Sequence, residues 1–400
     1  MKKVFILIIS LIYFVSGCSC NLTNLLNNEI SKASIISSYI RGYIDKNKEN
    51  YIVVSPFGTY VNISTYDGIK ISSLQKTLDV NAFKYHSLLD RYYYYEDENG
   101  NIINNIKVIN DSYGTGSSIK VDEIIIEILK EGIKYSKLSN GSFNIISGAI
   151  IDVWNSRFDD VNRVDPSKEE IEEALKCVAN ISNIDEILII DDLNNMVTFN
   201  SFNGCQSKAS IDLGALAKSY FLDKLVNLEE FKQLDTASYD AGESSIIVRG
   251  INPSRKSGAW HIALKDNLEG GYALQLQLKE DSAISTSSSY NKSYINEFGV
   301  KRHHIIDATS GYPNNYLLSA TVVCESAMIA DIITTTLMSF KNLDKIKSYL
   351  SSLKINGLRV LLQIEENGTL KVLVNDNMKG IIKDISEDSI LVIEEFNYGA

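Results

Sequence analysis

Asp331 is the one charged side chain in an apolar run, Ser326-Ala327-Met328-Ile329-Ala330-Asp331-Ile332-Ile333-Thr334-Thr335. In a helix, residues four apart share a face, so Asp331 and Thr335 stand together. A carboxylate in such surroundings is costly unless it is paired or holds a cation. One carboxylate and one hydroxyl, both oxygen donors, suit Mg²⁺, which keeps few protein ligands and shares substrate phosphates. The other reading is a helix-end Asp facing water. A second segment, Ile211-Asp212-Leu213-Gly214-Ala215-Leu216-Ala217-Lys218, runs from a short strand into a helix through Asp-x-Gly. Free N–H groups at that helix start suit an anion, and Lys218 lies one turn in. Asp212 reads equally as a simple cap. In Arg302-His303-His304-Ile305-Ile306-Asp307, two of the chain's four His are adjacent. On a strand they face opposite ways, so only one can enter a given cleft. Lastly, Leu138-Ser139-Asn140-Gly141-Ser142-Phe143-Asn144 ends a helix in a Gly-bearing turn that exposes backbone groups. Each segment alone also has a bland reading: a helix stop, a cap or a surface His pair.

The elements that would carry these residues are legible in outline. A helix over Asp122–Lys137 places Ile125, Ile128, Leu129 and Ile133 on one face, with Asp122 able to cap it. Ser167 and Glu170 have capping-box spacing. Further helices are expected over 78–95, 215–226 and 326–340. Strands are expected over 51–64, 187–190, 196–202, 245–249, 259–264, 272–278, 358–364 and 370–374. Residues 19–50 read as a polar tether leading into a first helix. Helices and strands alternate without a regular βαβ rhythm, which predicts an α+β fold.

With 44% hydrophobic and 22% charged residues over 400 positions, the composition is globular. The net charge is −11 and no basic cluster stands out, so a nucleic-acid surface is excluded as a working reading. An acidic protein repels a phosphorylated ligand, and a bound divalent cation is one solution. Lys2 and Lys3 precede an apolar stretch, Val4 to Val15, that is short for a membrane span. Val15-Ser16-Gly17-Cys18 resembles a bacterial lipobox. That resemblance implies removal of residues 1–17, lipidation of Cys18 and tethering to the extracytoplasmic face of the membrane; an ordinary signal peptide is the alternative. The remaining Cys20, Cys177, Cys205 and Cys324 show no zinc-binding spacing and specify no particular disulfide.

Taken in order, the motifs resemble those of the ApbE family of FAD:protein FMN transferases. Phe57-Gly58-Thr59 is similar to the family's Met-Gly-Thr, and 139–144 to Thr-Gly-Gly-Ala-Phe-Asp. Residues 212–218 resemble Asp-Leu-Gly-x-x-Ala-Lys, and Asp240-Ala241-Gly242 resembles Asn-x-Gly-Gly. Ser285-Thr286-Ser287 resembles Ser-Thr-Ser-Gly-Asp-Tyr. Residues 303–313 are similar to His-His-Ile-x-Asp-Pro-x-Thr-Gly-x-Pro, and 330–335 to Ala-Asp-x-x-x-Thr. The resemblance implies an ApbE-like fold over 51–400, mixed sheets with helices packed around a central FAD cleft. It implies FAD contacts at Phe57, Tyr95, Ser142, Phe143, Asn144, Asp212, Lys218 and Ile305, with the run Tyr92 to Tyr95 allowing several registers. It further implies Mg²⁺ held by the Ala215 carbonyl, Asp331 and Thr335, and His304 as catalytic base. An imidazole, with an ordinary pKa of about 6.5, suits that task. The implied reaction is Mg²⁺-dependent transfer of FMN from FAD to a Ser or Thr of an acceptor flavoprotein, such as a membrane redox subunit, with release of AMP. Departures from the family pattern are Asn144 for Asp, Ser219 for Gly, Ala241 for Gly, Ser288-Ser289 for Gly-Asp and Ala308 for Pro. FAD pyrophosphatase activity and a non-catalytic flavin-binding lipoprotein are the competing readings.

Overall fold

A computed structural model describes residues 43–45, 48–54, 56–67, 74–158, 160, 162–290, 292–385 and 391–398. The lipobox, Cys18 and residues 1–17 lie outside the described residues. A ten-stranded sheet forms the spine. Its strands are β1 (Tyr43–Asp45), β2 (Lys48–Val54), β3 (Tyr60–Thr65), β4 (Ala237–Ala241), β5 (Ser245–Arg249), β6 (Ser282–Ser288), β7 (Ser319–Cys324), β8 (Arg359–Glu366), β9 (Thr369–Val374) and β10 (Leu391–Glu395). Their order across the sheet is their order along the chain, and every pair is antiparallel except β9 with β10. Antiparallel neighbours need no crossover, so the segments between strands are free to build other things. Residues 66–236, between β3 and β4, carry most of the helices. Residues 250–281 carry a hairpin of Trp260–Lys265 with Tyr272–Leu278, which a third strand, Ile382–Ile385, extends. Residues 289–318 carry the His303-His304 segment.

The helices that matter here are α1 (Gln75–Leu89), α2 (Glu123–Leu138), α3 (Gly148–Phe158), α4 (Lys168–Leu175), α5 (Ala217–Leu225), α6 (Ala327–Met338) and α7 (Leu343–Leu353). Helix α2 buries Ile125, Ile128, Leu129 and Ile133, and Asp122 caps it by accepting from the Ile124 N–H. Helix α4 starts with the expected capping box of Ser167 and Glu170. Helix α6 lies across β6 and β7, and its buried residues share an apolar layer with Leu350 of α7 and with Val360 and Leu362 of β8. Another apolar layer joins α1, α2 and α5 to β3 and β4. A third fills the space between the spine and the 260–278 hairpin, with Leu274, Leu276 and Val372 fully buried.

Two expectations change. Residues 43–45 and 48–50 lie in strands rather than in a first helix. The helix expected over 78–95 stops at Leu89 because the Asp90 carboxylate accepts the N–H groups of Tyr92 (2.6 Å) and Tyr93 (3.3 Å), which turns the chain away. Cys177 and Cys205 form a disulfide, while Cys324 is a free, largely buried thiol. No described helix is long and apolar enough to cross a membrane.

Candidate active site

A cleft of about 1280 Å³ opens where the inter-strand segments meet the edges of β5, β6 and α6. That is somewhat above the range of about 300–1,000 Å³ usual for small-ligand pockets. Its walls include Phe57, Ser142, Phe143, Asn144, Asp212, Ala215, Lys218, His304, Ile305, Asp331 and Thr335. These come from five separate stretches of sequence.

Asp331 sits at the back of the cleft, 3% exposed. Alternation along β6 aims Ser285 and Ser287 at α6, while Thr286 points the other way to Thr321 on β7 (2.9 Å). The Ser285 hydroxyl donates to Asp331 Oδ1 (3.0 Å). Ser245, the cross-strand neighbour of Ser285, lies 3.4 Å from Oδ2. The Lys218 ammonium, from the first turn of α5, pairs with the same carboxylate. Thr335, one turn on, faces Ser287 across 3.4 Å, and Ser287 also donates to Thr334 (2.9 Å). Asp331 is thus held by one cation and neutral hydroxyls. Among the described residues no group of three or more His, Cys, Asp or Glu forms a metal cage. An all-oxygen set of one carboxylate, one hydroxyl and a loop carbonyl does fit Mg²⁺, which keeps several positions for water and phosphate.

The start of α6 is buttressed from α5. Asp223 accepts the Ala327 N–H (2.8 Å), the Met328 N–H (2.9 Å) and the Ser326 hydroxyl (2.6 Å). This satisfies the orphan donors of the helix that carries Asp331 and Thr335. Burial raises the Asp223 carboxyl above its ordinary pKa, and those hydrogen bonds oppose the rise. Neither Asp223 nor Ser245 stood out in the sequence; a Ser beginning an apolar strand and an acid within a helix are both too common.

The two histidines divide as strand geometry requires. His303 is fully buried; its Nε2 donates to the Asn314 carbonyl (2.9 Å) and its Nδ1 accepts the Ile305 N–H (3.3 Å). Burial pushes its pKa down to about 4, so it is a neutral strut. His304 is exposed and lines the cleft. The 139–144 turn reaches the same loop, since the Ser142 carbonyl accepts the Ala308 N–H (3.0 Å). Asn140 and Gly141 both take positive φ, 53° and 85°, to make that turn. The Asn144 side chain donates to the Ala179 carbonyl (2.8 Å) and accepts the Ile146 N–H (2.9 Å). The amide at this position therefore has a structural task of its own.

On the opposite wall Phe57 takes a left-handed φ of 62°, and its N–H donates to His86 Nδ1 (3.2 Å). Its ring packs edge-on against His86 and tilted against Phe221. Burial lowers the His86 pKa, and Asp90 opposes that shift. Tyr95 does not reach the cleft. It is 5% exposed, and its hydroxyl donates to Asp90 Oδ2 (2.7 Å) and lies 3.1 Å from His86 Nε2. The turn set by Asp90 puts Tyr92 and Tyr93 on the cleft wall instead, and sends Tyr95 behind it. His86 was not singled out in the sequence; its only signal is the i, i+4 spacing to Asp90.

Asp212 accepts the Gly214 N–H through Oδ1 (2.8 Å), and its Oδ2 lies 3.0 Å from Arg91 Nε. The segment bearing it, expected as a short strand, is irregular backbone and is fixed by Asn110, whose side chain accepts the Ile211 N–H (2.7 Å) and donates to the Ile211 carbonyl (3.0 Å). Arg91 also pairs with Asp152. Burial opposes the Arg91 charge, but Asp212 and Asp152 override it and hold its pKa above the ordinary value.

Comparison with known proteins bears on this geometry. The model of the ApbE family matches residues 57–362. The chain is 26% identical over 215 residues to the FAD:protein FMN transferase of Vibrio cholerae, covering 53% of this chain and 60% of that protein. It is 28% identical over 203 residues to the FAD:protein FMN transferase of Treponema pallidum, covering 49% of this chain and 53% of that one. The alignments thus span only about half to three fifths of those relatives. Among solved structures, the flavin transferase ApbE from Vibrio cholerae superposes with a TM-score of 0.65 at 20% identity, over 85% of this chain and 100% of that one, a likeness of fold. With the family match running from the Phe57 turn through β6, α6 and into β8, and so across every wall of the cleft, the chain belongs to the ApbE family.

Proposed function

We propose that this protein transfers FMN from FAD to a Ser or Thr hydroxyl of an acceptor flavoprotein, releasing AMP. The observation that carries the reading is the convergence, in one cleft, of the 215–218 helix start, the Asp331–Thr335 face of α6 and the His304 side chain. The names of the curated relatives agree with it.

In this reading FAD lies along the cleft with its flavin and adenine ends spanning the Phe57 and Asp212 walls. Its pyrophosphate meets the start of α5, where the helix dipole and Lys218 offset the phosphate charge. The Ala215 carbonyl, Asp331 and Thr335 would hold Mg²⁺, which when bound neutralises phosphate oxygens and eases departure of AMP. The acceptor hydroxyl attacks the phosphorus on the FMN side, a P–O bond to that hydroxyl forms, and the bridging P–O bond to AMP breaks. His304, at the open face of the cleft, takes the hydroxyl proton. Ser142, Phe143, Asn144 and Ile305 shape the wall that orients the dinucleotide. Tyr92 and Tyr93 take the place that Tyr95 does not reach.

The proposed setting is extracytoplasmic, with Cys18 lipidated at the membrane. The Cys177–Cys205 disulfide supports an oxidising compartment. The acceptor would be another exported flavoprotein, such as a membrane redox subunit. Intact-mass analysis of an acceptor domain, incubated with FAD, Mg²⁺ and this protein, tests the reading. A gain equal to FMN less water, dependent on all three, is expected. An unlabelled acceptor with free FMN and AMP accumulating would make the protein an FAD pyrophosphatase. A protein that binds FAD without turnover would make it a carrier.

A further inference from the structure

Asp212 is a carboxylate on the cleft wall, just ahead of α5, and each of its oxygens has a partner. Oδ1 is tied to the Gly214 N–H at 2.8 Å, and Oδ2 lies 3.0 Å from Arg91 Nε. The Arg91 Nε meets Asp212 as an ion pair without hydrogen-bond alignment, and the two terminal nitrogens hold the other partners. Nη1 donates to the Ser210 hydroxyl (3.2 Å), Nη2 donates to the Tyr92 hydroxyl (3.0 Å), and Asp152 of α3 pairs with Nη2. Its side chain is only 6% exposed, and its planar group lies 4.6 Å from the centre of the Tyr92 ring. Space around it is closed: a Cβ at Gly148 would fall 2.3 Å from Arg91 Nη1. Tyr92, by contrast, is 55% exposed and lines the cleft beside Asp212.

An Arg in this position does something a Lys cannot. Its fork reaches two carboxylates, a hydroxyl and a phenol and fixes their relative orientation. The Asp212 carboxyl lines the cleft and offers acceptor oxygens to an N–H of a heteroaromatic ring. The exposed Tyr92 ring beside it offers an aromatic surface for a flat ligand ring.

We infer that Arg91 is a positioning residue for the dinucleotide: it orients Asp212 and Tyr92 together, so that a carboxylate edge and an aromatic face meet one flat ring of FAD. This rests on the proposed function, since it needs FAD in the cleft. Arg91 acts through Asp212 and does not touch the reacting phosphorus.

The test is a double-mutant cycle on the full folded chain, read as the dissociation constant for FAD by quenching of flavin fluorescence. R91Q and D212N are each expected to weaken FAD binding about tenfold or more, the scale of a lost charge-assisted hydrogen bond. The R91Q/D212N double variant is expected to be no more than about twofold weaker than D212N alone, because the two residues act as one unit. R91K, which keeps the charge and loses the fork, is expected to behave like R91Q, and it replaces R91Q in the cycle if that variant does not fold. Penalties that multiply in the double variant, or an R91K that binds like the wild type, overturn the inference while leaving the proposed function standing. A wild-type chain that does not bind FAD overturns both.

Discussion

Replacing Asp331 by Asn separates what this carboxylate does for the fold from what it does for the reaction. The substitution keeps volume and one acceptor oxygen, so the Ser285 hydroxyl retains a partner. It removes the charge that faces the Lys218 ammonium. Taking one member from a buried ion pair costs about 3–5 kcal/mol. The Lys218 side chain keeps 19% exposure and opens on the cleft, which allows water to reach it and places the cost near the lower end, about 3 kcal/mol. At about 1.2 °C per kcal/mol for a chain of this size, the unfolding midpoint should fall by about 4 °C. FMN transfer should fall at least about a hundredfold, since an anchor for charge in the transition state is gone. The double variant D331N/K218M then distinguishes the two effects. Neutralising both partners is often nearly free, so the midpoint should return to within about 1 kcal/mol of the wild type, while transfer stays low. Calorimetry and the acceptor-labelling rate measure the two quantities on the same samples. Transfer by D331N within about tenfold of the wild type, or its recovery in the double variant together with stability, would refute the reasoning.

His304→Ala should change stability by no more than about 0.5 kcal/mol, because the residue is exposed, and should slow labelling by about 10²–10⁴-fold. His303→Ala should do the reverse in kind, lowering the unfolding free energy by at least about 2 kcal/mol because the Asn314 carbonyl and the Ile305 N–H lose their partner in the core. Asp240, on β4 beside the cleft, has its pKa pushed up to about 6, chiefly by burial, with the Glu243 N–H opposing and the Glu243 charge assisting. An acid whose folded pKa lies above its ordinary value destabilises the fold where it is ionised, so the penalty is present above about pH 6 and vanishes below about pH 4. Asp240→Asn should therefore gain about 1–3 kcal/mol in urea unfolding at pH 7.5 and nothing at pH 4. Reducing the Cys177–Cys205 bridge, whose ends are 28 positions apart in sequence, should cost about 3–4 kcal/mol by the loop-entropy relation, read as a lower unfolding midpoint in dithiothreitol.

Local chemistry was the readable part of the sequence. Asp122 and the Ser167–Glu170 pair are caps by type and spacing, and both cap. The strand assignments at 245–249 and 272–278 follow from apolar runs, and they match to the residue. Period-2 geometry allowed only one of His303 and His304 to face the cleft, and burial decided which. Long-range satisfaction of polar groups was not readable. Nothing in the sequence around Asp223 says that it caps a helix more than a hundred residues away. The position of Tyr95 turned on Asp90 ending α1 through its own carboxylate, a side-chain-to-backbone bond that helix periodicity over a four-tyrosine run does not reveal. The disulfide likewise depended on the 205–211 loop returning to the end of α4, which spacing alone does not encode. Arg91 could be read from the sequence only as a charge before an aromatic run; its four partners come from α3, the 210–212 segment and Tyr92.

In the proposed reaction the 215 loop and the 331–335 helix face grip one cation against the bridging phosphates of FAD. A crystal of the FAD-bound protein grown with Mn²⁺ in place of Mg²⁺ tests it most directly, because anomalous scattering locates the metal. The account predicts a single peak about 2.0–2.2 Å from the Ala215 carbonyl, an Asp331 oxygen and the Thr335 hydroxyl, in contact with the pyrophosphate. FAD bound with its phosphates away from these residues, or bound with no metal there, would contradict it.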